Sequence, residues 1–247
     1  MARITIFQHG ELGPGRFGVT LRDRGFQLDI RKPHLALSEG GSGVPADLDN
    51  VAGVLVLGGS QNVTDIGTYP WMQAEAEFLK KAHDKGLPVI GLCLGAQLIA
   101  HALGGTVAYK QGNPELGFNP VSLTIPGQTE TMLAGIPWNH HQPFSCEQEV
   151  RTLPPGATLL MTSKSTKNIA YKVGVKTYGF LFHPECDRPL LDQMWNMSSG
   201  WFSKLGTDAA AISRQSDAHY PGFARVADRL ALNLATYGFS YRNLLSA

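Results

Sequence analysis

One cysteine lies in a sequence pattern that can make it a nucleophile. Cys93 is the centre of the segment GLCLG, residues 91–95, which has the G-x-C-x-G spacing of a nucleophile elbow with sulfur in place of oxygen. Such a turn projects the nucleophile from the end of a strand. The positive end of the following helix favours a thiolate and leaves the N–H of Leu94 free to face an oxyanion. The alternative is a buried, inert cysteine in a glycine-rich junction.

A second segment can supply a base for that nucleophile. His183 and Glu185 lie two apart in the tripeptide HPE, directly after the apolar run TYGFLF. Residues two apart in an extended segment point the same way, and Pro184 stiffens the backbone between them. A carboxylate beside an imidazole selects its tautomer and stabilises the imidazolium. Alone, HPE is a common surface tripeptide, but together with the cysteine elbow it favours a Cys93–His183–Glu185 triad.

The chain order of these residues separates two classes of hydrolase. In α/β-hydrolases the acid precedes the histidine along the chain. Here His183 comes before Glu185. The order therefore does not fit the α/β-hydrolase class.

Alternating strand and helix signals in the first hundred residues indicate how the elbow is positioned. Strands are predicted at Arg3–Phe7, Phe26–Arg31, Val51–Leu57 and Val89–Ile90. Helices are predicted at Gly15–Arg24, at 71–85 and from the elbow to Leu103, and a loop is predicted at Gly40–Gly43. This alternation predicts an α/β fold, a doubly wound and mostly parallel sheet with helices on both faces.

The remainder of the chain is first β-like and then helical. Strands are predicted at Thr106–Tyr109, Pro120–Ile125, Thr158–Thr162, Ile169–Val173 and Thr177–Phe182. The tail is predicted to form two helices, Asp187–Leu205 and Gly222–Tyr237. We expect one domain over residues 1–247, with a core at about 3–186 and a helical extension at about 187–247 that packs on the core or on a partner.

Composition and charge exclude several classes of function. The 21 basic and 20 acidic residues are spread along the chain, so we expect no nucleic-acid partner. Three cysteines do not make a disulfide framework. The segment Gly86–Gly105 is nearly uncharged, but its Pro88 and its glycines indicate a buried strand, turn and helix. We therefore expect a cytoplasmic protein without a membrane partner.

These residues resemble the class I (triad) glutamine amidotransferases. The motifs that carry the resemblance are GLCLGAQ (91–97), FHPE (182–185), LGGS (57–60) and NPELGFNPVSLT (113–124). Together with TYPWM and the 71–85 helix, they are similar to stand-alone GMP-synthase-like members, over about residues 3–186. The resemblance implies the flavodoxin-like architecture of that family.

The resemblance also implies roles for particular residues. Cys93 would attack the side-chain amide of L-glutamine, His183 would protonate the departing ammonia, and water would hydrolyse the γ-glutamyl thioester. The N–H groups of Gly59 and Leu94 would hold the oxyanion, and the bound glutamine would be contacted by Gly58 and Gln97. The reaction needs no metal or organic cofactor. Ammonia would pass to an acceptor, with a separate synthetase subunit as a possible partner, and the oligomeric state is open.

One stretch departs from the family pattern. GMP synthases carry Ser-His-x-Asp-x-Val before a Leu-Pro, whereas this chain has SCEQEVRTLP at Ser145–Pro154, with Cys146 and Gln148 in place of His and Asp. In the family this loop borders the glutamine pocket and faces the ammonia-using partner. Three functions therefore stay open: a glutaminase subunit, a self-sufficient hydrolase of γ-glutamyl peptides or amides, and a non-catalytic binding relative. No P-loop pattern, and so no ATP-using synthetase, is present in these residues.

The other conspicuous side chains receive structural interpretations. His140 and His141 lack the spacing and the third ligand of a metal site. Glu115 is expected to be a solvated loop carboxylate, and Cys186 a small buried residue. The tail residues Met194, Trp195, Met197 and Trp201 are expected in the core or an interface.

Overall fold

The computed structural model describes residues 3–36 and 43–239, so most of the predicted loop at Gly40–Gly43 lies outside the described residues. Eleven strands lie within these ranges: β1 (Arg3–His9), β2 (Leu28–Arg31), β3 (Val51–Gly59), β4 (Val89–Leu92), β5 (Thr106–Tyr109), β6 (Glu115–Leu123), β7 (Asn139–Cys146), β8 (Gln148–Thr152), β9 (Thr158–Ser163), β10 (Ala170–Val173) and β11 (Thr177–Phe180).

The α-helices of the same ranges are α1 (Gly15–Asp23), α2 (Pro33–Ala36), α3 (Pro70–Asp84), α4 (Leu94–Ala102), α5 (Ile125–Thr129), α6 (Arg188–Met197), α7 (Phe202–Leu205) and α8 (Ala209–Asn233). Short 3₁₀ helices cover Val63–Thr68, Thr131–Leu133 and Ser199–Trp201, and α8 ends in a π-helical turn at Leu234–Gly238.

The main sheet joins a parallel half to an antiparallel half. Among the described residues it has nine strands in the order β2-β1-β3-β4-β11-β10-β9-β6-β7. Strands β2, β1, β3, β4 and β11 are parallel, and the pairs from β11 to β7 are antiparallel. Strands β5 and β8 form a separate antiparallel ladder. The predicted α/β fold is confirmed, with a parallel core that carries the elbow.

Helices cover both faces of the parallel half because its central strands are apolar on both sides. All four residues of β4 are buried. Ile90 packs in a cluster with side chains of α1 and α8, whereas Val89 packs in a second cluster with side chains of α3 and α4. Successive side chains of a strand point to opposite faces, so one apolar run can fill both clusters. This burial fixes the end of β4, where Cys93 follows.

Strands β7 and β8 were missed by the sequence prediction, which treated Ser145–Pro154 as a loop. Apolar alternation is weak in β7 because its buried positions include Gln142 and Pro143. β7 is the edge strand of the sheet, and proline is tolerated there because it removes a donor that an edge does not need. The stretch that departs from the family pattern therefore consists mainly of paired strands.

The tail helices differ from their predicted bounds. α8 begins at Ala209 and not at Gly222, because the Asp208 side chain caps it by accepting from the N–H of Ala211 at 2.7 Å. The predicted helix Asp187–Leu205 is interrupted after Met197. Side chains of α6 and α8 pack in one cluster with Phe118 of β6, whereas Val226 and Leu230 of α8 pack in the cluster that contains Ile90. The tail therefore covers part of both halves of the sheet. The assignment of residues 1–247 to a single domain stays a prediction.

A helix that spans a membrane must be both long and apolar. Within residues 3–36 and 43–239, none of the helices combines the length with the apolar character that crossing a bilayer requires.

The elbow glycines provide a stability test. A Cβ at Gly95 would lie in contact with the backbone of Val56 in β3, so Gly95→Ala should lower the free energy of unfolding by about 1–3 kcal/mol. Gly222→Ala is the matched control, because a Cβ there meets nothing within 4 Å and alanine favours helix. Urea unfolding measures both variants. Equal stability of Gly95→Ala and the parent would contradict this packing.

Candidate active site

The backbone of Cys93 has a conformation that L residues rarely adopt. Cys93 lies between β4 and α4 with φ 50° and ψ −109°. Among the described residues, Asn50 is the one other non-glycine residue with positive φ. The N–H of Cys93 donates to the Phe180 carbonyl at 2.8 Å, and its own carbonyl accepts from Gln97 N at 3.1 Å. Strand β11 and helix α4 thus hold the turn from both sides, which is typical of a strained functional position.

Two glycines leave room for this turn. A Cβ at Gly91 would lie 2.5 Å from the carbonyl carbon of Gly95. A Cβ at Gly58 would lie 2.7 Å from Cε1 of His183 and 3.4 Å from Cβ of Cys93. Side chains at these positions would displace either the helix or the imidazole. The glycines therefore serve close approach of backbone and side chains around the sulfur.

His183 and Glu185 form a buried pair next to Cys93. The distance between His183 Nδ1 and Glu185 Oε1 is 2.9 Å, and both side chains are almost fully buried. The N–H of His183 donates to the Pro143 carbonyl at 3.0 Å, and the carbonyl of Glu185 accepts from Arg16 N at 2.9 Å. Backbone contacts thus fix the segment to β7 and to the start of α1.

The charges around the imidazole favour its protonated form. Burial lowers the pKa of His183, but the charges of the Glu185 carboxylate and Cys93, and the hydrogen bonds that the imidazole makes with both residues, outweigh it. Together they raise the pKa of His183 from 6.5 to about 10. Burial raises the pKa of the Cys146 thiol and that of the Cys186 thiol well above the ordinary value.

The sulfur opens on a cavity of about 240 Å³. Of the residues predicted for this site, Cys93, His183, Gly58, Gly59 and Gln97 line it. Leu94 is buried at the first position of α4, so its N–H has no acceptor within the helix. Its side chain lies next to Gly59, 2.8 Å from the place of a Cβ there. The predicted residues are therefore brought together at one end of the parallel strands.

The stretch that departs from the family pattern contributes both walls and supports. Ser145, Cys146 and Glu147 line the cavity. The Gln148 side chain accepts from Val63 N at 3.0 Å and donates to Thr64 Oγ1 at 2.7 Å. The side-chain amide of Gln148 therefore holds the 3₁₀ helix Val63–Thr68. The backbone carbonyl of Gln148 accepts from Gln97 Nε2 at 3.1 Å.

The sequence did not predict two further parts of the wall. Gly10–Leu12, after β1, and the tail residues Met194, Met197, Ser198 and Trp201 all line the cavity. The interpretation of the tail residues as core or interface holds for Trp195, which is buried and donates to Ser216 Oγ at 2.9 Å. Met197 and Trp201 do not belong to the core clusters of the described residues, and their place in an interface stays a prediction. No sequence signal marks them, because the interruption of the helix decides which way they point.

The other structural interpretations have mixed outcomes. The prediction of a solvated Glu115 is wrong, because this carboxylate is buried in β6 and pairs with Lys110 Nζ at 2.5 Å. Cys186 is fully buried, as predicted. His141 stacks on His219 of α8, with ring centroids 4.1 Å apart.

Donor atoms suited to a metal ion occur together at one place in the described chain. They belong to His183, Glu185 and Cys186, all within 4.8 Å of one another. His183 and Glu185 are already bonded to each other, and the pKa of Cys186 is raised by burial and by the adjacent carboxylates. A protonated thiol and a protonated imidazole are poor metal ligands. The donor set therefore fits an ion pair better than a metal.

Comparison with known proteins gives consistent matches. A family model described as glutamine amidotransferase class-I matches residues 19–194. The GMP synthase [glutamine-hydrolyzing] of Lactococcus lactis subsp. cremoris (strain SK11) is 31% identical over 137 residues, which are 55% of this chain and 25% of that protein. The chain thus spans about a quarter of the length of this curated relative.

Solved structures share the fold. A glutamine amido transferase from Methylobacillus flagellatus superposes with a TM-score of 0.80 at 23% identity, covering 94% of this chain and 93% of that one. A glutamine amidotransferase from Thermotoga maritima has a TM-score of 0.80 at 20% identity, covering 95% of this chain and 98% of that one. These structures show the same mixed sheet with a parallel core.

The ion pair predicts how the charge of His183 responds to pH. In the parent, the imidazole should stay protonated at about pH 8, well above the ordinary histidine pKa. In Glu185→Gln, burial should dominate and leave the imidazole neutral at that pH. Nitrogen-detected NMR of the histidine rings measures both. A neutral His183 in the parent at about pH 8 would contradict the assignment.

The same shift has a consequence for stability. Because the folded-state pKa lies above 6.5, the imidazolium stabilises the fold fully below pH 6.5 and loses this effect as the pH rises towards about 10. The difference in unfolding free energy between the parent and Glu185→Gln should shrink over that window. A difference that grows with pH would have the wrong sign.

Proposed function

The chain belongs to the class-I glutamine amidotransferase family, and we propose that it hydrolyses γ-glutamyl amides, with L-glutamine as the smallest substrate, through a thioester at Cys93. The observation that supports this most is the positive-φ turn that places the Cys93 sulfur beside a buried imidazole–carboxylate pair. Strain at one residue and a perturbed pKa at its neighbour are typical of a catalytic site.

Acylation uses the ion pair directly. The Cys93 sulfur attacks the amide carbon as a thiolate, the nucleophilic form of cysteine, and a C–S bond forms beside the His183 imidazolium. The N–H groups of Gly59 and Leu94 stabilise the oxyanion. His183 then gives its proton to the amide nitrogen, the C–N bond breaks, and ammonia leaves when the substrate is glutamine. Glu185 is a positioning residue, because it acts through the imidazole.

In deacylation His183 acts as a base instead of an acid. His183 is now neutral and takes a proton from water, and the resulting hydroxide adds to the thioester carbon. The C–S bond breaks, glutamate leaves, and Cys93 and His183 return to the thiolate–imidazolium pair. The sum is glutamine and water to glutamate and ammonia, with no oxidant and no cofactor.

The charge of the cavity wall suits the amino end of the substrate. The lining includes Glu11 and Glu147 but no Lys or Arg among the described residues. Glu147 is held by Asn62, whose Nδ2 donates to Glu147 Oε1 at 3.0 Å. These carboxylates would attract the α-ammonium group, and Gln97 and the backbone at Gly58 would contact the rest of the γ-glutamyl group.

The leaving amine separates two forms of this function. If it is ammonia, the chain acts as a glutaminase that passes ammonia to an acceptor, with a separate synthetase subunit as partner. The name of the curated relative, GMP synthase [glutamine-hydrolyzing], supports this form. If it is a larger amine, the chain is a self-sufficient γ-glutamyl amide hydrolase. The covalent chemistry at Cys93 is the same in both.

A glutamine-analogue electrophile tests the nucleophile. Treatment with 6-diazo-5-oxo-norleucine should leave one adduct on the parent, on the peptide that contains Cys93, as read by mass spectrometry. Cys93→Ser should show no adduct and should lose ammonia release from glutamine by at least about 10³-fold.

The control is Cys146→Ser, which removes the other cysteine of the cavity wall and should keep the adduct. A parent protein that neither takes up the electrophile nor releases ammonia would favour the non-catalytic relative. An adduct that persists in Cys93→Ser would overturn the assignment of the nucleophile.

A further inference from the structure

The tail contributes an apolar wall to the cavity. This tail wall consists of Met194, Met197 and Trp201, which line the same cavity as Cys93 and His183. Met194 is buried in the cluster between α6, α8 and β6. Met197 and Trp201 belong to none of the hydrophobic clusters of the described residues, and Met197 is 56% exposed. Two large apolar side chains are therefore turned towards the opening and not into the core.

A hydrogen bond holds the tail wall over the sulfur. The hydroxyls of Ser198 and Ser145 are 2.6 Å apart, and the Ser198 hydroxyl also donates to the Met194 carbonyl at 2.9 Å. The Cys93 Sγ in turn lies 3.8 Å from the Ser145 carbonyl oxygen. Met194, Ser198 and Cys93 are thus connected through one residue of β7. The wall is positioned relative to the nucleophile and is not a loose surface feature.

A different part of the cavity wall is polar. It is formed by Asn62, Gln97 and Glu147, which are held by the hydrogen bonds from Asn62 to Glu147 and from Gln97 to the Gln148 carbonyl. The γ-glutamyl group carries an ammonium, which suits this polar wall and not Met197 or Trp201. The tail wall therefore faces the remaining part of the substrate, the amine that leaves.

The chain runs from His183 into the tail wall. His183 must reach the leaving nitrogen, and the segment after it leads directly into the tail wall. Cys186, three residues after the imidazole, packs in the same cluster as Met194. The tail thus begins close to the imidazole along the chain.

We propose that this site is specific for γ-glutamyl amides whose leaving amine carries an apolar or aromatic substituent, and that Met197 and Trp201 bind that substituent. The inference rests on the proposed function, because it names the substrate class of the same site. Ammonia would leave both side chains uncovered, whereas a benzyl or branched alkyl group would remove them from water. His183 would protonate the amine nitrogen, the C–N bond would break, and water would then release glutamate.

A series of uncharged amides tests this specificity. The substrates are glutamine, γ-glutamyl methylamide, γ-glutamyl isobutylamide and γ-glutamyl benzylamide, and the readout is kcat/KM from glutamate release. We expect kcat/KM to rise by at least about tenfold from the methylamide to the benzylamide, as for groups bound in an apolar pocket. Trp201→Ala should reduce this ratio by about tenfold.

The matched control is Trp138→Ala. Trp138 is a 63% exposed tryptophan outside the cavity lining, so its removal should leave the ratio of benzylamide to methylamide unchanged. Hydrolysis of glutamine and the methylamide with no gain for the benzylamide would overturn the inference and leave the proposed function intact. If no amide is hydrolysed and the electrophile leaves no adduct on Cys93, both fall. A ratio that Trp201→Ala and Trp138→Ala lower equally would also overturn the role of Trp201.

Discussion

The rest of the site depends on the backbone of Cys93, which keeps a positive φ although it carries a side chain. A conformation of this kind costs about 1–3 kcal/mol and persists because its surroundings permit no other. The N–H of Cys93 is bonded to β11, its carbonyl begins the hydrogen bonding of α4, and glycines at 91 and 95 let the helix approach the strands. The sulfur projects into a cavity and not into the sheet because the turn is sharp.

Strand pairing explains how residues far apart in sequence meet. β4 and β11 are parallel neighbours, with Leu92 paired to Phe180, so the residues that follow the two strands emerge at the same edge of the sheet. Cys93 follows the first strand directly, and His183 follows the second after a short extension. Glu185 stays beside the imidazole because Pro143 and Arg16 hold the backbone of the segment. The three side chains thus meet because of the strand register in the parallel half of the fold.

Local patterns in the sequence predicted this part of the molecule well. The elbow, the HPE tripeptide and the alternation of strands and helices are each encoded in a few neighbouring residues. The pairing of β4 with β11 joins segments far apart in the chain, so no local pattern predicted it. Strand β7 was missed because Gln142 and Pro143 occupy buried positions that alternation expects to be apolar, and β8 because its buried first position is Gln148. The cavity role of Trp201 was missed because a single break in a helix decides its direction.

The tail brings apolar side chains to a cavity that also has a polar wall. The account depends most directly on the sulfur of Cys93 becoming acylated. Rapid acid quenching of the parent with L-glutamine or γ-glutamyl benzylamide, followed by peptide mass spectrometry, should find the γ-glutamyl thioester on the peptide that contains Cys93. Release of glutamate with no acyl group on that peptide, or with the acyl group on Cys146 or Cys186, would contradict the account.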